Sequence, residues 1–79
     1  MRILFFAQLK DATGCDAIEL VLATPPNAER LWVELLGKFP ALAGHKTNVR
    51  LARNWEYADE HTVFLNTDEV ALIPPVSGG

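Results

Sequence analysis

The chain has 79 residues, 49% of them hydrophobic and 22% charged, with 7 basic against 10 acidic side chains for a net charge of −3. That is too short for a second core, too apolar and too weakly charged for disorder, and too acidic for the clustered Lys and Arg that nucleic-acid phosphates demand. The single cysteine, Cys15, excludes an internal disulfide and points to a reducing compartment.

Residues 3–9, Ile3-Leu4-Phe5-Phe6-Ala7-Gln8-Leu9, form an aliphatic and aromatic run that predicts a strand. Gln8, Lys10 and Asp11 break the run far short of the ~20 apolar residues a membrane helix needs, and no small-residue cleavage site follows. A soluble cytoplasmic protein without a membrane partner is expected. Asp11, Thr13, Gly14 and Asp16 predict a turn, and residues 17–22 a second strand forming a hairpin with the first. Pro25 and Pro26 stop that strand, because proline donates nothing to a ladder.

Asn27 is a helix cap, and a helix is predicted over residues 28–39. Leu31, Leu35 and Phe39 recur every four residues with Trp32 and Leu36 beside them, while Glu29, Arg30, Glu34 and Lys38 take the other face. Pro40 ends this helix, the only one the pattern predicts. Residues 41–47 read as a connector, 49–53 as a third strand by alternation, and 54–57 as a turn into a short strand. The segment 59–68 is polar except for Val63, Phe64 and Leu65, which are expected beneath a loop. Residues 70–73 form the last strand, stopped by Pro74-Pro75.

One mixed sheet packed on one main helix is the economical way to bury the helical stripe, giving an α+β fold. The first and last strands are strongly apolar and suit central positions; set side by side in parallel they make a β-grasp, the ubiquitin-like architecture. The domain is expected over residues 1–75, with a flexible tail over 76–79. If Ile3, Phe5, Ala7, Val70 and Leu72 face the helix, then Leu4, Phe6, Ala71 and Ile73 face away. One helix covers one sheet face, so Leu4, Phe6 and Ile73, joined by Tyr57, are expected to form an exposed partner-binding patch.

Four of the ten prolines and glycines stand in the last six residues, Pro74-Pro75-Val76-Ser77-Gly78-Gly79. The prolines make a stiff extended stem, and two residues without side chains make a tip that enters a channel too narrow for any Cβ. Taken as a free terminus, Gly79 carries one reactive group, its α-carboxylate. A carboxylate ionised at neutral pH is a poor electrophile; group transfer through it requires its oxygen to become a leaving group, as in an acyl-adenylate made from ATP.

The ending Asp68-Glu69-Val70-Ala71-Leu72-Ile73-Pro74-Pro75-Val76-Ser77-Gly78-Gly79 resembles the C-terminal signature of the molybdopterin synthase small-subunit family, and Ile3 to Leu9 is similar to that family's first strand. The helix and the strand near Val49 also fall where the family has them. Asn66-Thr67 stands where that family usually has Asp-Gly, so the turn before Asp68 is expected to be built differently. The resemblance implies a sulfur carrier for molybdenum cofactor biosynthesis. A ubiquitin-activating-like adenylyltransferase would adenylate Gly79, and a sulfur donor protein would convert the adenylate to a thiocarboxylate. Pro75, Val76, Ser77 and Gly78 would thread into the large subunit of molybdopterin synthase, where sulfur attacks cyclic pyranopterin monophosphate. The carrier itself would supply no catalytic side chain and bind no cofactor or metal, its adenylate and thiocarboxylate being covalent intermediates. Two carrier–catalyst pairs would form a heterotetramer.

The remaining candidates have blander readings. Cys15 has no adjacent histidine or cation to activate it, and His45 and His61 have no partner at ligand or catalytic spacing. Trp32 reads as core and Trp55 as a loop anchor or a contact; Asp59-Glu60 and Asp68-Glu69 read as solvated surface that can steer docking. The alternatives are a sulfur carrier for thiamine thiazole or cysteine synthesis, a ubiquitin-like protein modifier joined to lysines, and a plain interaction module.

Overall fold

In the computed structural model, which describes residues 1–74, the opening apolar run gives strand β1 (Arg2–Phe5) and then stops. Ala7 takes φ of 50°, and this left-handed residue redirects the chain into helix α1 (Gln8–Thr13). The expected strand over 3–9 is therefore too long, and Ala7 is exposed rather than inward. The expected hairpin is corrected as well. β2 (Ala17–Glu19) does pair antiparallel with β1, but α1 connects them, and β2 is shorter than the predicted 17–22. Gly14 closes α1 at φ 76°, its amide donating to the Lys10 carbonyl at 2.7 Å. Leu9 is fully buried and pins α1 to the core.

Helix α2 (Ala28–Lys38) starts where the sequence places it. The Asn27 side-chain oxygen accepts the Arg30 amide at 2.9 Å, satisfying one of the free N–H groups of the first turn. Glu29 in that turn and Lys38 in the last both complement the helix dipole. Leu31, Trp32 and Leu35 are buried, while Leu36 and Phe39 are half-buried at the edge of the stripe. The segment expected to be an unpatterned connector contains two 3₁₀ turns, Pro40–Gly44 and Lys46–Asn48, the first of which buries Leu42. α2 is thus not the only helical element.

Strands β3 (Arg50–Arg53), β4 (Glu56–Tyr57) and β5 (Glu69–Ile73) complete one five-stranded sheet in the order β2-β1-β5-β3-β4. β1 and β5 run parallel at its centre, the arrangement that defines the β-grasp. Ile3, Phe5, Val70 and Leu72 point to the helical side and are buried there with Leu31, Leu35 and Leu51. Phe5 meets Phe39 edge-on with centroids 5.6 Å apart. Of the loop trio, only Phe64 is buried; Val63 and Leu65 are exposed. No helix among the described residues is long and apolar enough to cross a membrane.

Candidate docking face at the root of the tail

The pleat sets a row of residues across the face away from α2. The pairings Leu4↔Ala71, Ala71↔Ala52 and Ala52↔Tyr57 carry that row from β1 through β5 and β3 to β4. Two alanines in the middle and larger side chains at the flanks make a shallow trough. The next row toward the end of β5 holds Ile73, paired with Arg50, and Phe6 lies one residue beyond the Phe5↔Leu72 pair.

Exposure of these residues is uneven. Tyr57 is 60% and Phe6 37% exposed, whereas Leu4 and Ile73 are half-buried. Arg50 stacks its guanidinium on the Tyr57 ring, 3.9 Å from the centroid. The expected apolar patch of Leu4, Phe6, Ile73 and Tyr57 is thus more amphipathic than expected, with Arg50 and Trp55 added to it. β3 and β4 are joined by the two-residue turn Asn54-Trp55, with φ of 50° and 69°. Positive φ at both central residues is the pattern of a type I′ hairpin, which favours Asn followed by Gly. Asparagine suits its position; a bulky indole on left-handed backbone costs of order 1–2 kcal/mol.

Three hydrogen bonds hold this turn against the start of β5. The Asn54 amide donates to the Glu69 carbonyl at 2.7 Å, the Glu69 amide donates to Asn54 Oδ1 at 2.9 Å, and Trp55 Nε1 donates to Glu69 Oε1 at 2.7 Å. Phe6 lies beside the indole, the ring centroids 6.3 Å apart and the planes inclined at 52°. Trp55 enters from the Glu69 end of β5 and Phe6 from the Ile73 end, so the rings meet above the middle of the sheet. Ala71, on the same face by register, is only 2% exposed. The indole itself remains 62% exposed.

A buried carboxylate supports the arrangement. Asp68, 9% exposed, accepts the Leu65 amide at 2.7 Å and the Asn54 side-chain amide at 3.0 Å. Desolvation pushes its pKa up, but the Leu65 and Asn54 hydrogen bonds, with Arg53 and the N-terminal ammonium nearby, together hold it below the usual aspartate value. The turn before it is closed by the Asp68 amide on the Leu65 carbonyl at 2.9 Å. Asn66 and Thr67 both keep negative φ there, so the turn needs no glycine. The Asn66 amide clasps the backbone of Leu22 through both its oxygen, at 3.1 Å, and its nitrogen, at 2.9 Å.

Sequence reasoning placed Leu4, Phe6, Ile73 and Tyr57 on one face, read Trp55 only as a loop anchor or a contact, and gave Arg50 only as part of the third strand. The alternation of β3 puts Arg50 with Ala52, and Asn-Trp between two strands was the available hairpin signal. Pro75, Val76, Ser77, Gly78 and Gly79 lie outside the described residues. Cys15 follows the end of α1, with its carbonyl accepting the Thr13 hydroxyl at 3.1 Å. His61 pairs with Glu60 at 3.5 Å, and His45 sits half-buried between the two 3₁₀ turns.

The ThiS family model matches residues 3–79. The chain belongs to the ThiS family. Similar curated relatives of this ThiS-family chain are named molybdopterin synthase sulfur carrier subunit. That of Arabidopsis thaliana is 34% identical over 79 residues, covering 100% of this chain and 82% of the relative. That of Haemophilus influenzae is 37% identical over 81 residues, covering 100% and 99%. Among solved structures, SAMP1 from Haloferax volcanii superposes with a TM-score of 0.81 at 26% identity, covering 99% of this chain and 97% of that one. Subunit 1 or 2 in the complex of the two subunits of molybdopterin-converting factor from Helicobacter pylori matches with a TM-score of 0.69 at 20% identity, covering 99% and 96%. These neighbours share the ubiquitin-like β-grasp fold.

Proposed function

We infer that this chain is the sulfur carrier subunit of a molybdopterin synthase. The observation that carries the reading is the full-length match to relatives of that name, which runs through the Pro-Pro-Val-Ser-Gly-Gly ending and includes Gly79. In this reading an adenylyltransferase of the ubiquitin-activating type joins the Gly79 carboxylate oxygen to the α-phosphorus of ATP and releases pyrophosphate. A donor protein then delivers sulfur at the sulfide level to the acyl carbon, AMP leaves, and a thiocarboxylate remains. In the large subunit its sulfur attacks a carbon of cyclic pyranopterin monophosphate, the C–O bond at that carbon breaks and the oxygen takes a proton as it leaves, and water cleaves the acyl–sulfur bond to return the carboxylate. Two loaded carriers supply the dithiolene.

The fold suits a carrier because the tail issues from β5, a central strand bonded to β1 on one side and β3 on the other. A strand held on both sides gives a partner a firmly placed element to hold next to the tail. The Gly79 carboxylate carries all of the transfer chemistry, and the domain contributes the handle by which partners hold it.

Mass spectrometry after incubation with ATP, the adenylyltransferase and a sulfur donor tests the reading. The intact chain should gain the mass of one sulfur-for-oxygen exchange at Gly79. Deleting Gly79, or adding one residue after it, should abolish loading while the melting temperature stays unchanged. Full loading with an extended tail would refute the carrier reading, and transfer onto lysines of other proteins would mark a protein modifier instead.

A further inference from the structure

We propose that Trp55 is a preset aromatic anchor of the surface on which the large subunit docks. The inference rests on the carrier reading and adds a residue to it. A glycine would suit the turn better than tryptophan does, because φ of 69° favours a residue without a Cβ. The backbone geometry of the hairpin therefore does not itself call for an indole. What the indole gains is a fixed position: Nε1 is tethered to Glu69 at 2.7 Å, the ring lies at a tilt beside Phe6, and most of its surface faces solvent. A tryptophan ordered before binding loses little side-chain freedom on docking, and tryptophans are enriched among the residues that dominate interfaces.

The occupant follows from the length of chain beyond β5. Residues 74–79 are six, and fully extended they reach about 20 Å from Ile73. A partner that encloses Gly79 in its active site must therefore press against the domain near Ile73. A standard footprint of about 800 Å² per partner spans a radius of about 16 Å. Glu69, where Trp55 is tethered, lies four residues back along β5, about 13 Å away and on the same face. A footprint centred near Ile73 thus includes Trp55.

The test uses the full chain and the purified large subunit, with affinity measured by calorimetry and melting temperature measured in parallel. Trp55→Gly should weaken binding about 30-fold, the loss of one hot-spot residue at about 2 kcal/mol. Its melting temperature should change by only a few degrees, because relief of the left-handed backbone offsets the lost bond to Glu69. Trp55→Phe, which keeps a ring, should recover most of the affinity. In fluorotryptophan-labelled carrier, the Trp55 fluorine resonance should move on docking while that of buried Trp32 stays. Binding by Trp55→Gly within twofold of the parent overturns the proposal and leaves the carrier reading intact. Loss of affinity only for the adenylyltransferase overturns it by assigning Trp55 to that partner. Equal loss of stability and affinity in both variants overturns it in favour of a structural role, and a parent chain that fails to bind the large subunit overturns both readings.

Discussion

Replacing Asp68 by asparagine keeps the shape of a buried side chain and removes its charge. The wild-type carboxylate accepts two N–H groups, from Leu65 at 2.7 Å and from the Asn54 side chain at 3.0 Å. The new amide can offer its oxygen to one of them, but its nitrogen then faces the other donor. Asn54 cannot simply flip to compensate, because its Oδ1 already accepts the Glu69 amide at 2.9 Å. One charge-assisted bond weakens to a neutral one and one donor is stranded, for a combined cost of about 2 kcal/mol at pH 7. In a domain of this size that lowers the melting temperature by about 8–16 °C. The effect depends on pH with a definite sign. Asp68 titrates lower in the folded chain than in the unfolded one, so its contribution is fully present above about pH 4 and is lost as pH falls through the folded value. Urea unfolding of both proteins at pH 7 and near pH 2.5 should therefore show the gap closing in acid. A gap equally wide at both pH values, or none at pH 7, would refute the assignment of Asp68 as a charged acceptor.

Two further substitutions probe the frame and the face. Asn27→Ala removes the side-chain acceptor of the Arg30 amide and should cost about 1 kcal/mol by urea denaturation, with no change in sulfur loading. Phe6→Asp sets a charge beside Trp55 on the face away from α2, where Phe6 is already 37% exposed; it should weaken large-subunit binding at least tenfold by calorimetry while unfolding changes by less than about 1.5 kcal/mol. If binding holds and stability collapses instead, that face is structural.

Much of the fold was legible because its signals repeat. Leu31 and Leu35 recur at helical period behind an asparagine cap, and the alternation of Ile3 and Phe5 with Leu4, and of Val70 and Leu72 with Ala71, states which face meets the helix. Helix α1 was not legible because six residues hold only one buried side chain, Leu9, and one residue has no period. Its closing signals, Thr13 and Gly14, read equally well as a turn. The 3₁₀ turns escaped for the same reason, since Leu42 is buried without a companion at regular spacing. On the docking face, parity located Phe6, Leu4, Ile73 and Tyr57. It could not locate Trp55, whose place depends on a two-residue hairpin and on a carboxylate 14 residues further along the chain.

The features that matter converge on β5. Asp68 precedes the strand and fixes the Asn54 turn; Glu69 begins it and holds both Asn54 and Trp55; Ala71 forms the trough floor; Ile73 ends it and hands the chain to Pro74. Each side of the strand is bonded, to β1 and to β3, so a shift at one end is passed along the ladder rather than absorbed by a loop. In the carrier reading proposed above, Gly79 follows this strand by six residues, so the placement of β5 bears on where a partner must hold the domain. The polar clamp at Asp68 and the strained Trp55 hairpin, both at the start of β5, then have a common physical rationale. They set the orientation of the strand and of its exposed face together.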